Sequence, residues 1–195
     1  MDRRAEKLVV VCLAQWLRKE ITMDTLEAIR RRRRVVNFTD RPIEQSAMTD
    51  ILAAARWGPS AGNQQRWRFI VVTEPETKEM ICDVSPGIYG TPMAIIVICM
   101  KQRARSSKWD YWIAACEVGI AAQTIALAAF SLGIGSCMVV SFAKEAVEQI
   151  LDLPEGVEPS LFVTLGYHSE LPEPPERLPL SEIAFEERYG KRWKA

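Results

Sequence analysis

Apolar and polar positions follow several different rhythms along the chain, and each rhythm predicts an element. Asp24-Thr25-Leu26-Glu27 has the form of an N-cap with an acidic residue three positions on. The helix it opens is expected to run into Arg30-Arg31-Arg32-Arg33-Arg34, with Leu26 and Ile29 on its inner face. Residues 35–38 read as extended and 39–42 as a turn. Ile43, Met48, Ile51, Leu52 and Ala55 recur with a helical period until Trp57-Gly58-Pro59 stops them. Residues 67–72, β-branched and aromatic, predict a strand, and 74–83 a short helix. Residues 94–100 are continuously apolar, the signature of a strand buried on both faces. Residues 111–132 are alanine-rich and almost free of charge, as in a helix buried on most sides. Gly133 and Gly135 end it. A strand over 136–140, an amphipathic helix over 143–151 and a last strand over 160–165 follow. The stretch from Glu170 to Leu180 is rich in proline and acid, suited to lying extended along a neighbouring surface.

Helices and strands in this mixed order, without regular strand–helix alternation, predict an α+β fold and not a doubly wound one. Residues 1–21 read as an amphipathic helical extension, or as sequence upstream of a natural start at Met23, and 22–195 as one domain. The chain has 195 residues, 48% of them hydrophobic, enough for one domain with a substantial core. The apolar run at residues 8–13 is too short to span a bilayer, so no membrane role is expected.

Net charge is zero, so no global field draws the chain to nucleic acid, and the arginine run is a local feature. Five cysteines without Cys-x-x-Cys spacing suggest reduced thiols in the cytoplasm. The single histidine, His168, leaves little basis for a serine–histidine triad or a histidine metal site. No metal ligand set and no side-chain nucleophile are expected.

Two segments carry candidate chemistry. Arg32, Arg33 and Arg34 are able to grip a phosphate dianion through forked, charge-assisted hydrogen bonds; equally, such a run forms a solvated basic face or a nucleic-acid patch. Pro59-Ser60-Ala61-Gly62-Asn63-Gln64-Gln65-Arg66-Trp67 is a tight polar turn able to present hydroxyl, amide and backbone groups to a flat heterocycle, or merely to cap the strand after it. Together they suggest a bound mononucleotide cofactor.

The chain resembles the nitroreductase family of FMN-dependent oxidoreductases. The likeness rests on Ile29 through Phe38 and on the 59–67 segment, similar to the family's Pro-Ser-x-x-Asn-x-Gln-Pro-Trp. It continues in Gly119–Gln123 through Leu132–Cys137, in Leu153-Pro154-Glu155-Gly156, in Leu165-Gly166-Tyr167 and in Arg177-Leu178-Pro179-Leu180-Ser181-Glu182. The resemblance implies a three-layer sandwich with a central, mostly antiparallel sheet flanked by helices, in an intertwined homodimer that shares FMN. It places Arg32, Arg33, Arg34 and Arg177 at the phosphate and Pro59, Ser60, Asn63 and Gln65 at the ring. It sets the backbone of Val140 and Ser141 at the flavin centre. Trp109, Tyr111 and Trp112, ahead of the long helix, match substrate-contacting aromatics, core packing being the other reading.

Four departures stand out. Arg34 replaces a small hydroxyl residue, Val36 a basic one, and Val140 an acid found in some relatives; Arg66 replaces a proline and brings a charge near the substrate mouth or a change in loop rigidity. The implied reaction takes hydride from NAD(P)H through flavin N5 to a small electron-poor acceptor, a nitroaromatic or quinone, in ping-pong order. The same fold also hosts flavin fragmentation and reductive dehalogenation, and a non-enzymatic flavin- or nucleic-acid-binding module is a further alternative.

Overall fold

The computed structural model describes residues 23–102 and 107–194. The expected extension over 1–21, with Cys12, lies outside them.

Helix α1, Thr25–Arg31, is opened by Asp24, whose carboxylate accepts the N–H groups of Leu26 and Glu27 at 3.0 and 3.1 Å. Its inner face differs from the expected one. Ala28 is the buried residue, while Leu26 and Ile29 are 59% and 51% exposed. So short a helix turns only one small side chain inward, and its larger apolar residues face outward. Helix α2, Gln45–Ala55, buries Met48, Ile51 and Ala55 at the expected helical spacing. After strand β1, Trp67–Val72, comes helix α3, Pro75–Asp83, with proline in its first turn.

Strand β2, Ala94–Lys101, divides the two layers of core. Its Ile96, Ile98 and Met100 pack with α2 and with helix α4, Lys108–Ser131. Its Ile95, Val97 and Cys99 face the other way, against Ile81 of α3 and Val147 of helix α5, Lys144–Ile150. Period-two alternation with both faces covered accounts for the unbroken apolar run. Strand β3, Gly135–Val139, and strand β4, Val157–Gly166, complete a four-stranded sheet in the order β1-β2-β4-β3, antiparallel at every pairing. The result is the expected α+β sandwich of helices, sheet and helices. A last short helix, α6, spans Leu180–Ile183.

Two boundaries differ from expectation for identifiable reasons. Strand β4 begins at Val157, not at residue 160, because a register shift at Ile98/Cys99 admits Pro159 opposite Cys99. Helix α4 begins at Lys108 because Ser107 and Asp110 form a capping box. Trp109, Tyr111 and Trp112 therefore stand in the first turns of α4, not ahead of it. The end of α4 is a Schellman motif: Ile134 N–H reaches the Ala129 carbonyl at 2.9 Å and Gly133 N–H that of Phe130 at 3.0 Å. Gly133 sits at φ +74°, the conformation the motif needs. Helix α4 is long and apolar enough to cross a membrane by composition alone, but it packs as a core helix, with Ala121, Ala122, Ile125, Ala126 and Ala129 fully buried.

Candidate functional site

The arginine run is pinned to the start of β3. Arg34 forms a parallel bridge with Ser136, and Val35 N–H donates to the Ser136 carbonyl at 3.0 Å. The guanidinium of Arg34 lies 5.2 Å from the centre of the Tyr89 ring. Arg33 turns back to donate to the carbonyls of Arg30 and Arg32 at 2.6 and 3.0 Å, satisfying the C-terminal end of α1. Its Nε is buried without a partner. Arg32 is half-buried, and its pKa falls below the ordinary value. Burial is the main cause, followed by repulsion from Arg177 and then Arg33. Three of the four arginines predicted for the phosphate thus converge, and the fourth adjoins them through the backbone. An orphaned donor among mutually repelling cations is a fitting place for a phosphate dianion.

Residues 85–90 run beside β3 and were not singled out in the sequence. Gly87 N–H donates to the Ser141 carbonyl at 3.2 Å, and a Cβ on Gly87 would stand 2.7 Å from Val139 Cγ1. Gly90, at φ +68°, comes so close to Val36 that a Cβ would lie 2.1 Å from its carbonyl oxygen. The Pro86-Gly87 and Tyr89-Gly90 pairs were the available signal. Val140, 71% exposed, and Ser141 follow directly on β3. Val140 also lines a cavity of about 420 Å³ with Tyr111, Val118, Gly119, Phe142 and Lys144. The ammonium of Lys144 is committed to Glu158 at 2.7 Å.

The 59–67 segment forms a compact turn. Ser60 Oγ accepts Gln65 N–H at 3.0 Å, and the Gln65 side-chain amide donates to Asn63 Oδ1 at 3.1 Å. Gly62, Asn63 and Gln65 all take positive φ, 59°, 54° and 49°. For Asn63 and Gln65 this costs about 1 kcal/mol or more each, a strain that persists only where the surroundings impose it. Pro59, Asn63 and Gln65 are exposed and Ser60 half-buried, so the groups predicted to face a ring are presented outward.

Arg66 does not bring a charge to the mouth. It is 9% exposed and faces Glu117, itself 4% exposed, with Nε 3.8 Å from Oε2. Glu117 was missed in the sequence, where an acid in the middle of an alanine-rich helix carries no local signal. Its Oε1 accepts Ala61 N–H at 2.9 Å. Beside it, Pro59, Ser60, Ala61, Trp112, Cys116 and Ile120 line an apolar cavity of about 240 Å³. The rings of Trp109 and Trp112 stack at 5.6 Å, 67% and 61% exposed, and Tyr111 is 54% exposed, so within one chain none of the three packs in the core.

The chain belongs to the nitroreductase family, whose model matches residues 29–87 and 84–167. It is 37% identical over 159 residues to a Methanothermobacter thermautotrophicus protein provisionally named NADH dehydrogenase/NAD(P)H nitroreductase, covering 77% of this chain and 80% of that one. It is 24% identical over 185 residues to an FMN reductase [NAD(P)H] of Bacillus subtilis, covering 85% of this chain and 74% of that one. The crystal structure of a nitroreductase family protein from Clostridium difficile superposes with a TM-score of 0.76 at 29% identity, covering 85% of this chain and 99% of that one.

Proposed function

We propose that the protein is an FMN-dependent NAD(P)H oxidoreductase, cytoplasmic and homodimeric, that reduces a small electron-poor acceptor such as a nitroaromatic or a quinone. The observation that carries this reading is the repulsion that Arg177 and Arg33 exert on the half-buried Arg32, with Arg33 Nε buried and unpartnered. Membership of the nitroreductase family and the likeness to an FMN reductase support the same cofactor and electron donor.

Arg32, Arg33 and Arg177 would hold the phosphate, with Arg34 alongside. Ser60, Asn63 and Gln65 would meet the polar edge of the ring and Pro59 its apolar part, while the backbone of Val140 and Ser141 would face its centre. When bound, FMN supplies the redox chemistry, accepting a hydride equivalent from NAD(P)H and passing the electrons to the acceptor. Trp109, Tyr111 and Trp112 give planar substrates an aromatic surface and exclude water. One such mouth suits donor and acceptor in turn, hence ping-pong order.

Within one chain the partners of the 59–65 turn lie on α4, whereas the arginine run is held against β3 and Tyr89. That separation supports a cofactor shared between two copies. So do the exposed apolar residues Leu26, Ile29, Trp112, Ile120, Leu178, Leu180 and Ile183. The cytoplasmic assignment is supported by the free state of Cys82, Cys99, Cys116 and Cys137.

The test is an absorption spectrum of the purified protein followed by anaerobic NADH or NADPH. A flavin spectrum that bleaches and then recovers with a quinone or nitroaromatic is the expected result. Bound flavin that does not bleach points to flavin fragmentation or dehalogenation chemistry, and failure to take up FMN refutes the reading.

A further inference from the structure

The Glu117–Arg66 pair is a poor device for stability. Both groups are almost fully buried, and such a pair recovers its desolvation only with good geometry. Here Nε and Oε2 are 3.8 Å apart, and neither atom has a hydrogen-bond partner. Apolar residues at both positions would fit the surrounding alanines and isoleucines of α4 at least as well. What no apolar side chain can do is reach from the helix to the backbone of the neighbouring turn.

Glu117 does that at Ala61, and it faces the other end of the turn through the Arg66 side chain. Oε1 takes Ala61 N–H at 2.9 Å, immediately after Ser60, and Oε2 faces Arg66, immediately after Gln65. Arg66 Nη2 also donates to the Asp110 carbonyl at 3.3 Å, one turn from the start of α4. Between these anchors lie the three left-handed residues Gly62, Asn63 and Gln65. The bonds inside the turn, from Gln65 N–H to Ser60 Oγ and from the Gln65 amide to Asn63, set its shape, and the two anchors on α4 tie that shape to the body of the protein.

We propose that Glu117 is a positioning residue for the cofactor: it fixes Ser60, Asn63 and Gln65 in their ring-facing geometry by clamping the turn at Ala61 and Arg66. The inference rests on the reading of 59–65 as the ring contact. It also gives Arg66 a role in place of the family's proline: a proline stiffens the turn covalently, and here a charge holds it from the helix.

The experiment compares two variants that remove both buried charges together. Glu117→Gln with Arg66→Met keeps an oxygen for Ala61 N–H; Glu117→Met with Arg66→Met does not. FMN affinity of the apoprotein, the position of the bound flavin absorption band and hydrogen exchange at the Ala61 amide are read on each. The Gln variant, which keeps the Ala61 bond and loses the Arg66 contact, is expected to retain a protected Ala61 amide and to bind FMN more tightly than the Met variant, though less tightly than the parent. The Met variant is expected to bind FMN roughly tenfold more weakly or worse, with a shifted band and faster exchange at Ala61. If the Met variant does not fold, Ala61→Pro removes the same N–H from the other side, Ser60 at φ −139°, ψ 147° being compatible with a following proline; the same loss is expected. Equal affinity and band position in parent and Met or Pro variant overturns the inference and leaves the FMN reading intact. A parent that takes up no FMN overturns the cofactor reading and the inference with it.

Discussion

Arg32 and Arg177, one at the end of α1 and the other in the proline-rich tail, stand close enough that each opposes the other's charge. Folding brings like charges together at a cost, and an anion between them removes it. This relationship makes the cationic cluster testable independently of any turnover.

Replacing Arg32 and Arg33 together with alanine should weaken FMN binding by about tenfold or more, since each charge-assisted contact is stronger than a neutral one. Riboflavin, which lacks the phosphate, should bind parent and variant alike. Flavin fluorescence titrations with the two ligands check both statements, and Arg177→Ala should act in the same direction.

Gly90→Ala should destabilise the fold by about 1–3 kcal/mol through strain and overpacking, because its Cβ would meet the Val36 carbonyl oxygen at 2.1 Å and its φ is +68°. Gly119→Ala is the matched control. It is mid-helix with nothing within 4 Å of the added atom, so a gain of about 0.5–1 kcal/mol is expected. Denaturant unfolding of the two variants should give opposite signs.

The Glu44 carboxyl is drawn down to about 2 from an ordinary 4.5, first by the Tyr167 hydroxyl and next by Arg41, whose guanidinium lies 3.8 Å from the centre of the Tyr167 ring. Since the folded value lies below the free one, this contact stabilises fully above pH 4.5 and is lost as the pH falls through about 2. Glu44→Gln should therefore flatten the dependence of the melting temperature on pH in that window and leave it unchanged nearer neutrality. An identical pH profile for the variant would remove Glu44 from the account of acid unfolding.

Burial pushes the Cys99 thiol up to about 12, and Cys137 is buried as well. Neither should react with a thiol reagent at neutral pH until the protein is unfolded. Cys116 is exposed within one chain. Its labelling should be rapid at high dilution and slow as concentration drives the proposed dimer, because it lines the cavity beside Trp112 and Ile120. Mass spectrometry of labelled peptides separates the three sites.

Much of the fold was legible because its signals are local. The alternation in β2, the Asp24 cap and the glycine after α4 are each written within a few residues. The arginine run and the Pro-Ser turn were legible as chemistry for a similar reason: each is contiguous. Other features are written only in three dimensions. Glu117 answers Arg66 across the gap between a helix and a loop, and neither residue signals the other in sequence. Tyr89 reaches Arg34 because Gly87 and Gly90 let their segment press against β3 and Val36. The inner face of α1 was misplaced because periodicity ranks side chains by hydrophobicity, whereas contact selected the small Ala28 over Leu26 and Ile29.

The extended segment after α1 also limits where another strand can add to the sheet. A strand at the rim of a sheet offers unused N–H and C=O groups to any passing chain, and growth along that direction has no natural stop. At the start of β3 the Ser136 carbonyl is already taken by Val35, and just past β4 the Tyr167 carbonyl is taken by Thr39. That corner of the rim is sealed from within. A strand arriving at that corner finds those two carbonyls already spoken for.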